Sequence, residues 1–154
     1  MNHRFPHFAS AASGDHFPHP ALGVDYGQSR IGIAATDDFG IMAHPIETIS
    51  LTTLNAIARI AELSRLRNIK TLVVGLPLRL DGSEGSSAKK VRAFAEKLAD
   101  AIPTIPMIFV DETYTTSVAT EKLREAGRKN HRQKDIIDQA AAVEILNGWM
   151  GETS

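Results

Sequence analysis

Two unbroken apolar runs, "TLVVG" at Thr71–Gly75 and "MIFV" at Met107–Val110, do most to limit the folds open to this chain. Each is too short for a core helix, and each is bounded by glycine or proline. Such runs read as strands buried on both faces. Helical spacing precedes them: Leu54, Ile57, Ala58 and Ala61 mark a helix over Leu54–Arg67, with Thr52 or Thr53 placed to cap it. After the Asp81-Gly82-Ser83 loop, Ser86 or Ser87 is placed to cap a second helix ending near Ala101. Strand–helix–strand passages of this kind imply parallel pairing through right-handed crossovers.

The opening of the chain has a different grammar. Leu22–Tyr26 and Arg30–Thr36 are strand-like and joined by Gly27-Gln28-Ser29, a hairpin. Asp37–Gly40 turns the chain into a third strand over Met42–Ser50, with Pro45 at an edge or start. Thr116–Ala126 and Asp135–Met150 close the chain as helices, the latter with Ile137, Ala141, Ile145 and either Ala140 or Trp149 near one stripe. The expectation is an α/β fold: one mixed five-stranded sheet, three strands antiparallel and the rest parallel, with helices on both faces. A single domain spans residues 21–151.

Residues 1–20 hold four of the six histidines and three of the seven prolines, with no apolar periodicity. They are expected to form a disordered tail rather than a metal-binding tract. The chain has no cysteine, which excludes disulfides, thiolate metal ligands and a cysteine nucleophile. No apolar run approaches the ~18–20 residues that span a bilayer, so no membrane partner is expected. The net charge of −1 leaves nucleic-acid binding to local patches rather than to the chain as a whole.

The strand ends carry charge that burial disfavours. Asp25 ends the first strand, on the same side as Gly23, where there is room for a ligand; the bland alternative is an aspartate bonded to turn amides. Asp111 and Glu112 end the strand at "IFVDE" and must point to opposite faces. Parallel strands gather their carboxyl ends at one edge, where open α/β sheets bind ligands. Asp138 is a third candidate, although Asp135 and Asp138 also resemble a capping box. Three acids at one edge suit Mg²⁺ or Mn²⁺; two such ions about 3.5–4 Å apart can drive in-line phosphoryl displacement.

Cationic residues offer phosphate contacts. "GRKNHRQK" supplies Arg128, Lys129, Arg132 and Lys134 just before the Asp138 helix. Arg30 follows the Asp25 turn, and Arg79 lies in a glycine-containing loop before a helix N-terminus. That loop lacks the lysine and spacing of a nucleotide-binding P-loop. An ATP-binding reading, suggested by the Asp-x-Gly hairpin of actin-like ATPases, needs two such domains, and one is present.

Four ordered segments, "LGVDYGQSRIGIAAT", "LVVGLPLRLDGSEG", "FVDETYTTSVA" and "KDIIDQAAAVEIL", resemble the YqgF/RuvX family from about Leu22 to Met150. The resemblance implies an RNase H-like fold and a metal-dependent nuclease with catalytic, metal-holding acids at Asp25, Glu112 and Asp138. It implies endonucleolytic processing of the 5′ end of pre-16S rRNA; a cytoplasmic monomer or weak homodimer is expected. Alternatives are Holliday-junction resolution on structured DNA and a nucleic-acid-binding module without catalysis. The chain departs from the family pattern at Thr113, where arginine is usual, and at Ser117 and Val118, where Val-Glu is frequent.

Overall fold

A computed structural model describes residues 17–52, 55–112 and 131–153. The strands are β1 (Ala21–Tyr26), β2 (Arg30–Thr36), β3 (Ala43–Ser50), β4 (Thr71–Leu76) and β5 (Met107–Asp111). The helices among these residues are α1 (Ala56–Leu66), α2 (Ser86–Ala101) and α3 (His131–Thr153). The sheet order is β3-β2-β1-β4-β5. β1, β2 and β3 form the expected antiparallel meander, and β4 and β5 add in parallel beside β1.

Strand alternation sorts the core into two layers. Leu22, Val24, Ile31, Ile33, Leu72, Val74 and Phe109 pack against α1 and α2 through Ile60, Leu63, Val91 and Leu98. Ala21, Ala34, Val73, Ile108 and Val110 face α3, which buries Ala142, Ile145, Leu146 and Trp149 on them. Side chains are small where α3 crosses β1 and β2. A Cβ on Gly32 would stand 1.9 Å from the Asp138 carbonyl oxygen, and one on Gly23 would stand 2.7 Å from Leu146 Cγ. Glycine at these two positions lets the helix backbone lie against the sheet.

The helix starts differ from the expected caps. Thr52 is engaged in the turn after β3, where its backbone N–H donates to Ser50 Oγ at 3.3 Å. Asn55 caps α1 instead, its Oδ1 accepting from the Ala58 N–H at 3.1 Å. Gly85, not Ser86 or Ser87, is the N-cap of α2, and no side chain caps that end. The Arg79 guanidinium lies against this position: a Cβ on Gly85 would be 3.0 Å from Arg79 Nε. α3 begins at least a turn before the expected Asp135, so Asp135 and Asp138 are interior residues and form no capping box. The expected helix over Thr116–Ala126 lies outside the described residues.

The end of the expected tail packs on the domain. The Thr71 hydroxyl donates to the Pro18 carbonyl at 2.6 Å, and the Lys70 N–H to the Pro20 carbonyl at 2.8 Å. The His19 ring lies 5.2 Å from that of Trp149 and shares a 2.9 Å hydrogen bond with Thr36 Oγ1, while Phe17 joins the α3 layer. Ordered structure therefore reaches back before Ala21. The rest of the tail lies outside the described residues. Among those described, no helix is long and apolar enough to cross a membrane.

Candidate nuclease site

The carboxyl edge of the sheet opens into a cleft of about 1030 Å³. Asp25, Arg30, Glu112, Lys134 and Asp138 line it, so three expected acids and two expected cations share one depression. Asp25 lies on the α3 face of β1 by alternation and is paired in register with Gly32, the residue on which the α3 backbone rests at Asp138. One small residue thus sets two of the acids side by side. Thr48 of β3 fixes the same turn of α3: its hydroxyl donates to the Asp135 carbonyl at 2.9 Å and accepts from Gln139 Nε2 at 3.1 Å.

Glu112 follows β5 and is anchored by its N–H, which donates to the Leu76 carbonyl at 3.0 Å. Its side chain lies over Gly75 of β4, where a Cβ would stand 2.7 Å from Glu112 Cδ and 2.5 Å from Ile145 Cδ1. Asp111 is exposed and outside the cleft lining. Alternation therefore separates the two acids of "VDE" as expected, with Glu112 on the cleft side.

Arg30 binds Asp138 directly, Nε to Oδ2 at 2.6 Å, with the arginine side chain 34% exposed and the aspartate 18%. Burial pushes the Asp138 carboxyl above the usual aspartate range; Arg30 opposes that rise, and Asp25 and Asp135 add to it. Among the described residues, no three acid or histidine side chains are gathered tightly enough to hold a metal ion between them. The donor set still matches a hard cation in kind: carboxylate oxygens on three elements facing one cleft. The Gly75 recess keeps the Glu112 carboxyl at that edge.

Arg79 is exposed, lies beside Gly85 and does not line the cleft. Arg128 and Lys129 lie outside the described residues, as do the Arg132 side chain, Thr113, Ser117 and Val118. The cleft also takes in Gln28 from the hairpin tip and Ser87, Lys90 and Val91 from α2. Lys90 was not singled out in the sequence. Its signal is spacing: 87, 90 and 91 fall on one helical face just inside the N-terminus of α2. Among the described residues, neither Lys90 nor Lys134 has an ion-pair partner, whereas Arg92 is held by Glu84 and Arg59 by Glu47 and Glu62.

The family described as "RuvX: Holliday junction resolvase" matches residues 19–152. The chain belongs to the RuvX family. Relatives each named "Putative pre-16S rRNA nuclease" include one from Mycobacteroides abscessus, 46% identical over 131 residues (84% of this chain, 79% of the relative). Another, from Picosynechococcus sp., is 43% identical over 134 residues (86% of this chain, 92% of the relative). Among solved structures, T. thermophilus RuvC in complex with a Holliday junction substrate aligns at TM-score 0.53 and 15% identity, over 86% of this chain and 95% of that one. The yeast mitochondrial Holliday junction resolvase Ydc2 aligns at TM-score 0.50 and 14% identity, over 93% of this chain and 84% of that one. These structures share the fold, which is RNase H-like as expected.

Proposed function

We propose that this RuvX-family chain is a metal-dependent nuclease of ribosome biogenesis that cuts the 5′ end of pre-16S rRNA endonucleolytically in the cytoplasm, as a monomer or weak homodimer. The observation that carries this reading is the single cleft at the carboxyl sheet edge, shared by Asp25, Glu112 and Asp138. Relatives over 40% identical named for pre-16S rRNA support the substrate class.

Asp25, Glu112 and Asp138 would hold Mg²⁺ or Mn²⁺, as two ions. The bound ions supply positive charge to activate water and stabilise the leaving oxygen of an in-line displacement. The protein's own side chains bind and orient the strand. Lys90 and Lys134, which line the cleft from helices on opposite faces of the sheet, would take phosphates of the strand. Arg128, Lys129 and Arg132 would extend this grip, with Arg79 at the outer end of α2.

The test is incubation of purified protein with end-labelled pre-16S leader RNA and, separately, a four-way DNA junction, with Mn²⁺ or with EDTA. Cleavage of the RNA that needs Mn²⁺ and disappears in Asp25→Asn is expected. Preferential cutting of the junction would favour the resolvase reading. Binding without cleavage of either would leave a nucleic-acid-binding module.

A further inference from the structure

The Arg30–Asp138 ion pair sits inside the cleft, 108 residues apart in sequence, and takes an oxygen that the nuclease reading assigns to a metal. While Oδ2 accepts from Arg30, Asp138 can offer a cation only its other oxygen unimpeded. The guanidinium also places a positive charge beside a carboxylate that would hold a divalent ion, and like charges at close range repel. Arg30 is not locked in place: it is one-third exposed at the start of β2, and its other hydrogen bond among the described residues is a long 3.4 Å contact to Ser29 Oγ. A phosphate entering the cleft is an alternative partner, since the guanidinium fork matches phosphate oxygens.

We infer that Arg30 is a latch on Asp138: it holds this carboxylate away from metal until a nucleic-acid phosphate draws the guanidinium off, so substrate entry opens the metal site. This rests on the nuclease reading and adds a coupling to it. Two ligands that each require the Arg30–Asp138 pair to open bind cooperatively through it. Lys134 lines the same cleft with the same charge but forms no ion pair with Asp138. It separates release of the carboxylate from simple removal of charge.

The experiment is calorimetric Mn²⁺ titration of the full-length protein, Arg30→Gln and Lys134→Gln without RNA, alongside leader-RNA binding by the same three proteins in EDTA. Arg30→Gln should bind Mn²⁺ about three- to tenfold more tightly than wild type, the range expected for freeing a partly exposed charge-assisted pair. That gain should exceed the gain in Lys134→Gln, and Arg30→Gln should bind RNA more weakly in EDTA. A merely structural role would weaken both ligands together. Equal Mn²⁺ gains in the two variants would reduce the effect to net charge and overturn the latch. Weaker Mn²⁺ binding in Arg30→Gln, or unchanged RNA binding, would overturn it as well. A wild-type protein that binds no Mn²⁺ would sink the nuclease reading and the latch together, whereas Mn²⁺ binding indifferent to Arg30 would sink only the latch.

Discussion

Gly32→Ala is the smallest change that should dismantle the site without touching an acid. The added Cβ would lie 1.9 Å from the Asp138 carbonyl oxygen and 2.3 Å from its carbonyl carbon, while real Cβ contacts are essentially never under 3.0 Å. The obstacle is backbone at both ends, a central strand against a helix that also packs on β1 and β3, so no flexible side chain can yield. α3 must withdraw by about 1 Å at Asp138. Over-packing of this kind costs typically about 1–3 kcal/mol. For a domain of this size that is a fall in Tm of roughly 3–9 °C. The same shift moves a carboxylate of the candidate site and stretches its 2.6 Å bond to Arg30, and misplacement of a reacting group by about 1 Å can cost about 10²-fold in rate. Gly151→Ala, in the same helix with nothing within 4 Å of its added Cβ, is the control. Thermal melts and leader-RNA cleavage read the two effects. A Gly32→Ala protein that melts and cuts like wild type would refute the close contact between α3 and β2.

The raised pKa of Asp138 gives a signed pH dependence. A buried acid whose folded pKa exceeds its unfolded value favours the fold when protonated, and that contribution is lost as pH rises through the folded value. Asp138→Asn should therefore raise Tm at pH 7, with the gain shrinking as the melts are taken toward pH 4; a gain independent of pH would contradict the burial argument. Glu112→Gln should lose Mn²⁺ binding and nearly all cleavage while Asp111→Asn loses much less, because only Glu112 lines the cleft; equal losses by calorimetry and gel assay would mean both acids serve it. Deleting residues 1–20 should lower Tm by several degrees more than deleting residues 1–16, because Phe17, Pro18 and His19 are then lost from α3 and β4; equal melts would show those contacts contribute little.

What could be read from the chain alone follows from how local each signal is. β4 and β5 were legible because strands buried on both faces must be continuously apolar, and the acidic ends of β1 and β5 marked the candidate site edge. Alternation was enough to set Glu112 and Asp111 on opposite faces, and the family resemblance chose between them. Helix starts were less legible, because several capping residues stood in a row and tertiary demands chose among them. Thr52 was taken by the turn after β3, and Gly85, beneath Arg79, stands at the start of α2. The packing of His19 on Trp149 and the pairing of Arg30 with Asp138 join residues more than a hundred positions apart, for which no local pattern exists. Lys90 is less legible still, because a lone lysine near a helix start looks like any solvated charge.

Since α3 is the final described element and packs across β1, β2 and β3, the order of synthesis sets when the cleft is complete. A nascent chain that has emerged only through β5 carries Asp25 but lacks Asp138, and its Ala21, Ala34, Val73, Ile108 and Val110 have no helix to cover them. Domains settle as units once their last packing element is available. The cleft is thus incomplete while the chain is still on the ribosome, and Asp138 reaches it only with the helix that covers this face of the sheet. Products truncated before α3 would expose an apolar sheet face and so would be open to proteolysis.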